Sequence, residues 1–142
     1  MTAPRGLIIE ADGGSRGNPG PAGSGAVVID ASTGELLAEL GIFVGVASNN
    51  VAEYLGLIAG VQAALALDPD AVLHIRMDSK LVVEQMSGRW KIKHPAMADL
   101  AAEARRALIG TPVSFEWIPR EQNSRADRLA NEAMDARADF RR

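Results

Sequence analysis

The chain has 142 residues, 47% hydrophobic and 23% charged, enough to bury the core of one domain and too apolar for a disordered polymer. It has no cysteine, which excludes disulfides, thiolate zinc sites, iron–sulfur clusters and cysteine nucleophiles and suits a reducing, cytoplasmic location. The formal charge of −3 divides unevenly: residues 1–70 hold 2 basic and 8 acidic side chains, residues 71–142 hold 13 and 10, which argues against a uniform nucleic-acid coat but not against an enzyme with clustered acids.

No uninterrupted apolar run approaches the ~18 residues of a membrane span, and the first fourteen residues lack the pattern of a signal peptide, so no membrane partner is expected. Leu7–Asp12, Ser24–Asp30 and Leu36–Val44 read as three strands, separated by a Gly/Pro-rich loop and by Ser32-Thr33-Gly34. The short second separation predicts an antiparallel meander. Val51 to Leu67 carries helical spacing through Val51, Tyr54, Leu55, Ile58, Val61 and Leu65, and Asp68-Pro69-Asp70 stops it.

Val72–Met77 is a fourth strand, followed at Asp78-Ser79 by a short helix through Met86 that Gly88 closes. A basic connector, Arg89–His94, leads to a helix from Pro95 to about Ile109. Val113, Phe115 and Trp117 alternate as a fifth strand, and a last helix runs from Ser124 to about Met134. The order βββαβααβα predicts a five-stranded mixed sheet with helices on both faces, because the later crossovers need parallel neighbours.

Four acids stand at the ends of these elements. Asp12 closes the first strand and Asp78 the fourth, where open α/β sheets collect ligands. Glu53 and Asp127 fall in the first turns of helices, where the dipole favours a carboxylate. Each also has a purely local reading. Asn50-x-x-Glu53 and Ser124-x-x-Asp127 have the form of capping boxes, Asp78 can cap its helix, and Asp12 can accept the amides of the glycines after it.

The segments ADGGSRGNPGPAG (11–23), SNNVAEY (48–54), MDSKLV (77–82) and EWIPREQNSRADRLA (116–130) resemble, in order, the signature segments of type 1 ribonuclease H. The similarity is strongest to the actinobacterial ribonuclease H domains that precede a C-terminal phosphatase domain. It implies a ribonuclease H-like fold with strand order 3-2-1-4-5 over a domain 1–135, leaving 136–142 as a polar tail or the start of a linker. It further implies an endonuclease that hydrolyses the RNA strand of RNA–DNA hybrids to 3′-hydroxyl and 5′-phosphate ends. Double-stranded RNA is an open alternative partner.

By the same resemblance the family's four metal-binding catalytic acids fall on Asp12, Glu53, Asp78 and Asp127. Asp12 would be shared by two ions, Asp127 would serve the ion on the side of the attacking water, and Glu53 with Asp78 the ion at the leaving oxygen. Oxygen-only ligands favour two Mg²⁺, with Mn²⁺ as substitute, over zinc. Two such ions about 3.5–4 Å apart clamp both oxygens of an in-line phosphoryl displacement.

Substrate contacts are expected from Gly13, Gly14 and Ser15, whose backbone would read the 2′-hydroxyls that separate RNA from DNA, and from Asn18, Ser48, Asn49 and Asn50. Asn50 reads equally as a helix cap. Lys80, Lys91 and Lys93 would track phosphates, with Trp90 either stacking on a sugar or packing in the core. A tryptophan-rich basic protrusion found in better-known bacterial members is absent, as is a histidine in the loop between Trp117 and Asp127. His74 reads as a packed or hydrogen-bonded mid-strand residue, His94 as a phosphate contact. Two other functions compete: a different nuclease or transferase of the same superfamily fold, which DSK and ADRLA oppose, and a non-catalytic hybrid-binding module, which the presence of all four acids opposes.

Overall fold

The structure, a computed structural model, describes residues 5–142; the first four residues of the expected domain 1–135 lie outside that range. Its elements in chain order are β1 (Gly6–Ser15), β2 (Gly20–Asp30), β3 (Leu36–Ala47), α1 (Asn49–Leu67), β4 (Val72–Met77), α2 (Lys80–Met86), α3 (Pro95–Ala107), β5 (Val113–Trp117), a 3₁₀ turn (Arg120–Gln122), α4 (Ser124–Ala136) and β6 (Phe140–Arg141). The sheet order is β5-β4-β1-β2-β3-β6. β1, β2 and β3 form an antiparallel meander, and β4 and β5 join it parallel to β1.

The expected order 3-2-1-4-5 is therefore present, with a sixth strand beyond β3 where five were expected. β6 is two residues long, too short for a period to register. It is held by Phe140 opposite Gly41, by reciprocal backbone bonds of 2.8 Å between Glu39 and Arg142, and by Asp139 Oδ1, which accepts from the Phe43 amide at 2.8 Å. The last residues of the segment expected as a tail or linker thus lie along the sheet edge.

Side-chain alternation divides the interior in two. Leu7, Ile9 and Ala11 of β1 and Leu73, Ile75 and Met77 of β4 pack with Tyr54, Leu57 and Val61 of α1 and with α2 and α3. On the other face, Val27, Ile29 and Ile8 pack under Leu129 of α4 and against Phe140. By length and composition α1 would suffice to cross a membrane, although no unbroken apolar run marks it in the sequence. Here its apolar residues line the main core, as those of a central helix do.

On the face that carries α4, strands β1, β4 and β5 bear a polar row, which Arg125 of α4 reaches at Glu10 at 3.7 Å. Glu10, buried, pairs with Arg76 at 3.0 Å, and Arg76 reaches Glu116 at 3.4 Å. His74 bonds Ser114 and Glu116, both at 2.7 Å, so it is the hydrogen-bonded strand histidine expected of it.

Candidate active site

Asp12 does not end its strand. Antiparallel pairing carries β1 on through Gly13↔Ser24, Gly14↔Gly23 and Ser15↔Ala22, so the glycine-rich segment read as a loop is mostly hairpin and only residues 16–19 turn. Parallel pairing with β4, however, stops at Ala11↔Met77. The two strands part at that step, and Asp12 and Asp78 stand on either side of the parting.

Two glycines bring the helices down onto this point. A Cβ on Gly13 would lie 2.3 Å from the Ala52 carbonyl carbon and 2.4 Å from the Glu53 nitrogen. One on Gly25 would lie 2.2 Å from the Ala126 oxygen. Only the hydrogens of glycine allow α1 to set Glu53, and α4 to set Asp127, so close to the sheet. The Cα of Gly13 is therefore closed against α1, while Gly13, Gly14 and Ser15 all line the cleft.

The cleft measures about 360 Å³ and is lined by all four expected acids, Asp12, Glu53, Asp78 and Asp127, together with Asn49, Arg16 and Arg120. The local explanations for three of the acids fall away. The N-cap of α1 is Ser48, whose Oγ accepts from the Val51 amide at 3.3 Å, which puts Glu53 beyond the capping position. The N-cap of α2 is Ser79, accepting from Val82 at 3.2 Å, not Asp78. α4 starts from Asn123, one residue before the expected cap, and Asp127 is left to face Asp12.

Crowding these carboxyls makes ionisation unfavourable. Burial, the charge of Asp78 and a hydrogen bond with Asp127 push the Asp12 carboxyl up to about 8, against the Gly13 amide. Burial pushes Glu53 up to about 7, with the Asp78 charge adding to it and a Ser79 hydrogen bond opposing it. Without a cation the cleft keeps protons at pH values where carboxylic acids have normally lost them. Among the described residues no three acids close into a cage for one ion. An all-oxygen set held in looser pairs fits Mg²⁺, which takes one or two carboxylates and reserves its other positions for water and phosphate oxygens.

The expected substrate contacts divide. Asn49 Oδ1 accepts from the Ser15 amide at 2.7 Å, and the Asn49 amide donates to Asn18 Oδ1 at 3.0 Å, so these two brace the β1–β2 tip against α1. Ser48 caps α1, while Asn50 sits half-buried in its first turn. Lys80 lies 5.7 Å over the ring of Trp117, whose Nε1 donates to the Asp78 carbonyl. Trp90 is 44% exposed and lines a second groove with Lys91, Ile92 and Arg105, away from the acids and outside the core. Lys93 is exposed beside it. Arg89, counted with the basic connector, is paired to Glu84 at 2.6 Å. His94, exposed, accepts from the Ala96 amide through Nδ1 as the cap of α3, so the expected phosphate contact would fall to Nε2.

Sequence reasoning missed Arg120 and Asn123. Arg120 occupies the histidine-free loop, and the 3₁₀ turn carries it to the cleft wall. Asn123 is buried directly beneath the acids; its one signal was its place before Ser124, a boundary uncertain by one or two residues.

The family model described as "Reverse transcriptase-like" matches residues 10–133. The "Bifunctional protein Rv2228c" of Mycobacterium tuberculosis is 56% identical over 133 residues, covering 93% of this chain but only 36% of that protein's length. The solved N-terminal RNase H domain of that protein superposes with a TM-score of 0.89 at 55% identity, covering 93% of this chain and 95% of the other. LC11-RNase H1, solved in complex with an RNA/DNA hybrid, gives 0.87 at 40% identity over 92% of this chain and 98% of its own.

Proposed function

We propose that this chain, which belongs to the type 1 ribonuclease H family, hydrolyses the RNA strand of RNA–DNA hybrids with the help of two divalent cations, leaving 3′-hydroxyl and 5′-phosphate ends. The observation that carries the reading is the convergence of four carboxyls, from β1, α1, the residue after β4, and α4, on one cleft, where burial pushes Asp12 and Glu53 up. The hybrid as substrate follows LC11-RNase H1, which was solved with one.

Asp12, Glu53, Asp78 and Asp127 would hold the ions. When bound, two Mg²⁺ supply charge stabilisation to the attacking and leaving oxygens of an in-line displacement. The chain's own residues supply position. Gly13, Gly14 and Ser15 line the cleft, where their backbone would meet an RNA sugar, and the Asn18–Asn49 brace ties the hairpin tip to α1. Arg120 sets a permanent cation at the wall, suited to a phosphate oxygen. Lys91 and Lys93 extend the positive surface beyond the cleft. No histidine stands at the cleft, since His74 and His94 are engaged elsewhere.

End-labelled hybrid, double-stranded RNA and double-stranded DNA test this side by side in Mg²⁺ and in chelator. Cuts confined to the RNA strand of the hybrid, with 3′ ends that a polymerase extends, are expected. DNA cleavage, or undiminished cleavage in chelator, would contradict the proposal.

A further inference from the structure

Asn123 stands at the N-cap of α4, yet its side chain makes no capping bond. An asparagine at that position ordinarily accepts an amide hydrogen from the first turn. Here both amide hydrogens are given away from the helix: Nδ2 lies 2.9 Å from the Ala11 carbonyl oxygen and 2.8 Å from Asp78 Oδ1. The residue is 0% exposed, and its Oδ1 is, among the described residues, the only buried side-chain nitrogen or oxygen with no partner. Exchanging oxygen and nitrogen would not cure this, because the oxygen would then face two acceptors. An orphaned buried acceptor in a folded chain calls for a competing demand.

That demand lies at the parting of β1 and β4. Past Ala11↔Met77 no ladder bond fixes Asp12 relative to Asp78. Asn123 spans the gap, holding the carbonyl of the residue before Asp12 with one hydrogen and the Asp78 carboxylate with the other. Its own backbone carbonyl accepts the Asp127 amide at 3.1 Å. One residue thus ties together the backbone or side chains that carry three of the four acids.

We infer that Asn123 is a positioning residue that sets the spacing of Asp12, Asp78 and Asp127 and holds one oxygen of Asp78 so that the other is presented to a cation. The inference rests on the metal-dependent reading above. Groups that orient metal-binding carboxylates typically change metal affinity about 10–100-fold when removed.

Asn123→Ser and Asn123→Ala in the full chain test it. Serine is itself a good N-cap but too short to reach Asp78, so it keeps the start of α4 while losing the tie. Mn²⁺ and Mg²⁺ binding without substrate is measured by calorimetry, alongside the metal-free melting temperature, the KM for hybrid and the Mg²⁺ requirement of cleavage. For Asn123→Ser the expected result is metal binding weakened about tenfold or more, with the metal-free melting temperature and hybrid KM near wild type and kcat recovering in excess metal. Wild-type metal affinity in both variants, or a loss that tracks the melting temperature and that excess metal does not relieve, would overturn the inference. A wild-type chain that takes up no divalent ion would instead overturn the metal-dependent reading, and the inference with it.

Discussion

Asp12 and Glu53 hold protons in the folded, metal-free chain, up to about pH 8 and about pH 7, which the unfolded chain would release near 3.8 and 4.5. A carboxyl raised in this way stabilises the fold fully below its unfolded pKa and loses that contribution as pH climbs through its folded one. Asp30, Glu84, Glu116 and Glu132, all held low chiefly by side-chain hydrogen bonds, act in the opposite sense; their contribution is lost only as pH falls below the ordinary carboxylate range. The two effects occupy separate windows. The melting temperature of chelator-treated protein should therefore fall between about pH 5.5 and pH 8. Asp12→Asn should flatten that fall and raise the metal-free melting temperature at pH 8 by about 2–4 °C. An unchanged slope in the variant would mean that Asp12 is ionised without metal and that the cleft is not crowded as described.

At the scale of elements, the strands and helices with a clear period were legible from the sequence, and so were the four acids. Their local roles were not. Gly13, Gly14 and Gly20 read as a turn because glycine breaks strands, but pairing with Ser24, Gly23 and Ala47 keeps all three in the sheet. The caps were misplaced by one or two residues because Ser48, Ser79 and Asn123 stand beside equally plausible neighbours. Those shifts matter functionally, since each releases an acid from a helix end into the cleft. β6 was invisible, being two residues whose support is tertiary: Phe140 over Gly41 and Arg142 paired with Glu132 of α4. Deleting 139–142 should lower stability by about 1–2 kcal/mol, for a partly buried ring and its few edge bonds. Cleavage at 25 °C should persist, because β6 lies at the far edge from β1 and β4. An unaltered denaturation midpoint would show the strand to be unimportant for the fold.

Across the whole molecule, folding draws two acids from each half of the chain into one cleft, so the charge pattern in space differs from the one along the sequence. The cleft gathers the four acids, while Arg120 at its wall and the exposed Lys91 and Lys93 beyond it carry the opposite sign. On the proposed function, catalysis would belong to the acids and grip to the basic side chains. Lys91→Ala with Lys93→Ala should reduce the slope of log affinity for hybrid against log salt by up to about two units, just under one per phosphate contact, with kcat nearly unchanged. An unaltered slope would remove the connector from the interface. The central claim, that four carboxyls make one cation-dependent cutting site, is tested most directly by the single-turnover cleavage rate of a hybrid as Mg²⁺ is raised from zero, in the wild type and in Asp12→Asn. The wild-type rate should vanish in chelator and rise more steeply than first order at low Mg²⁺, as two ions require. The variant should stay below about 1% of it at every concentration, in line with a site whose electrostatic stabilisation has been removed. Cleavage by Asp12→Asn at a rate comparable to wild type would contradict the account.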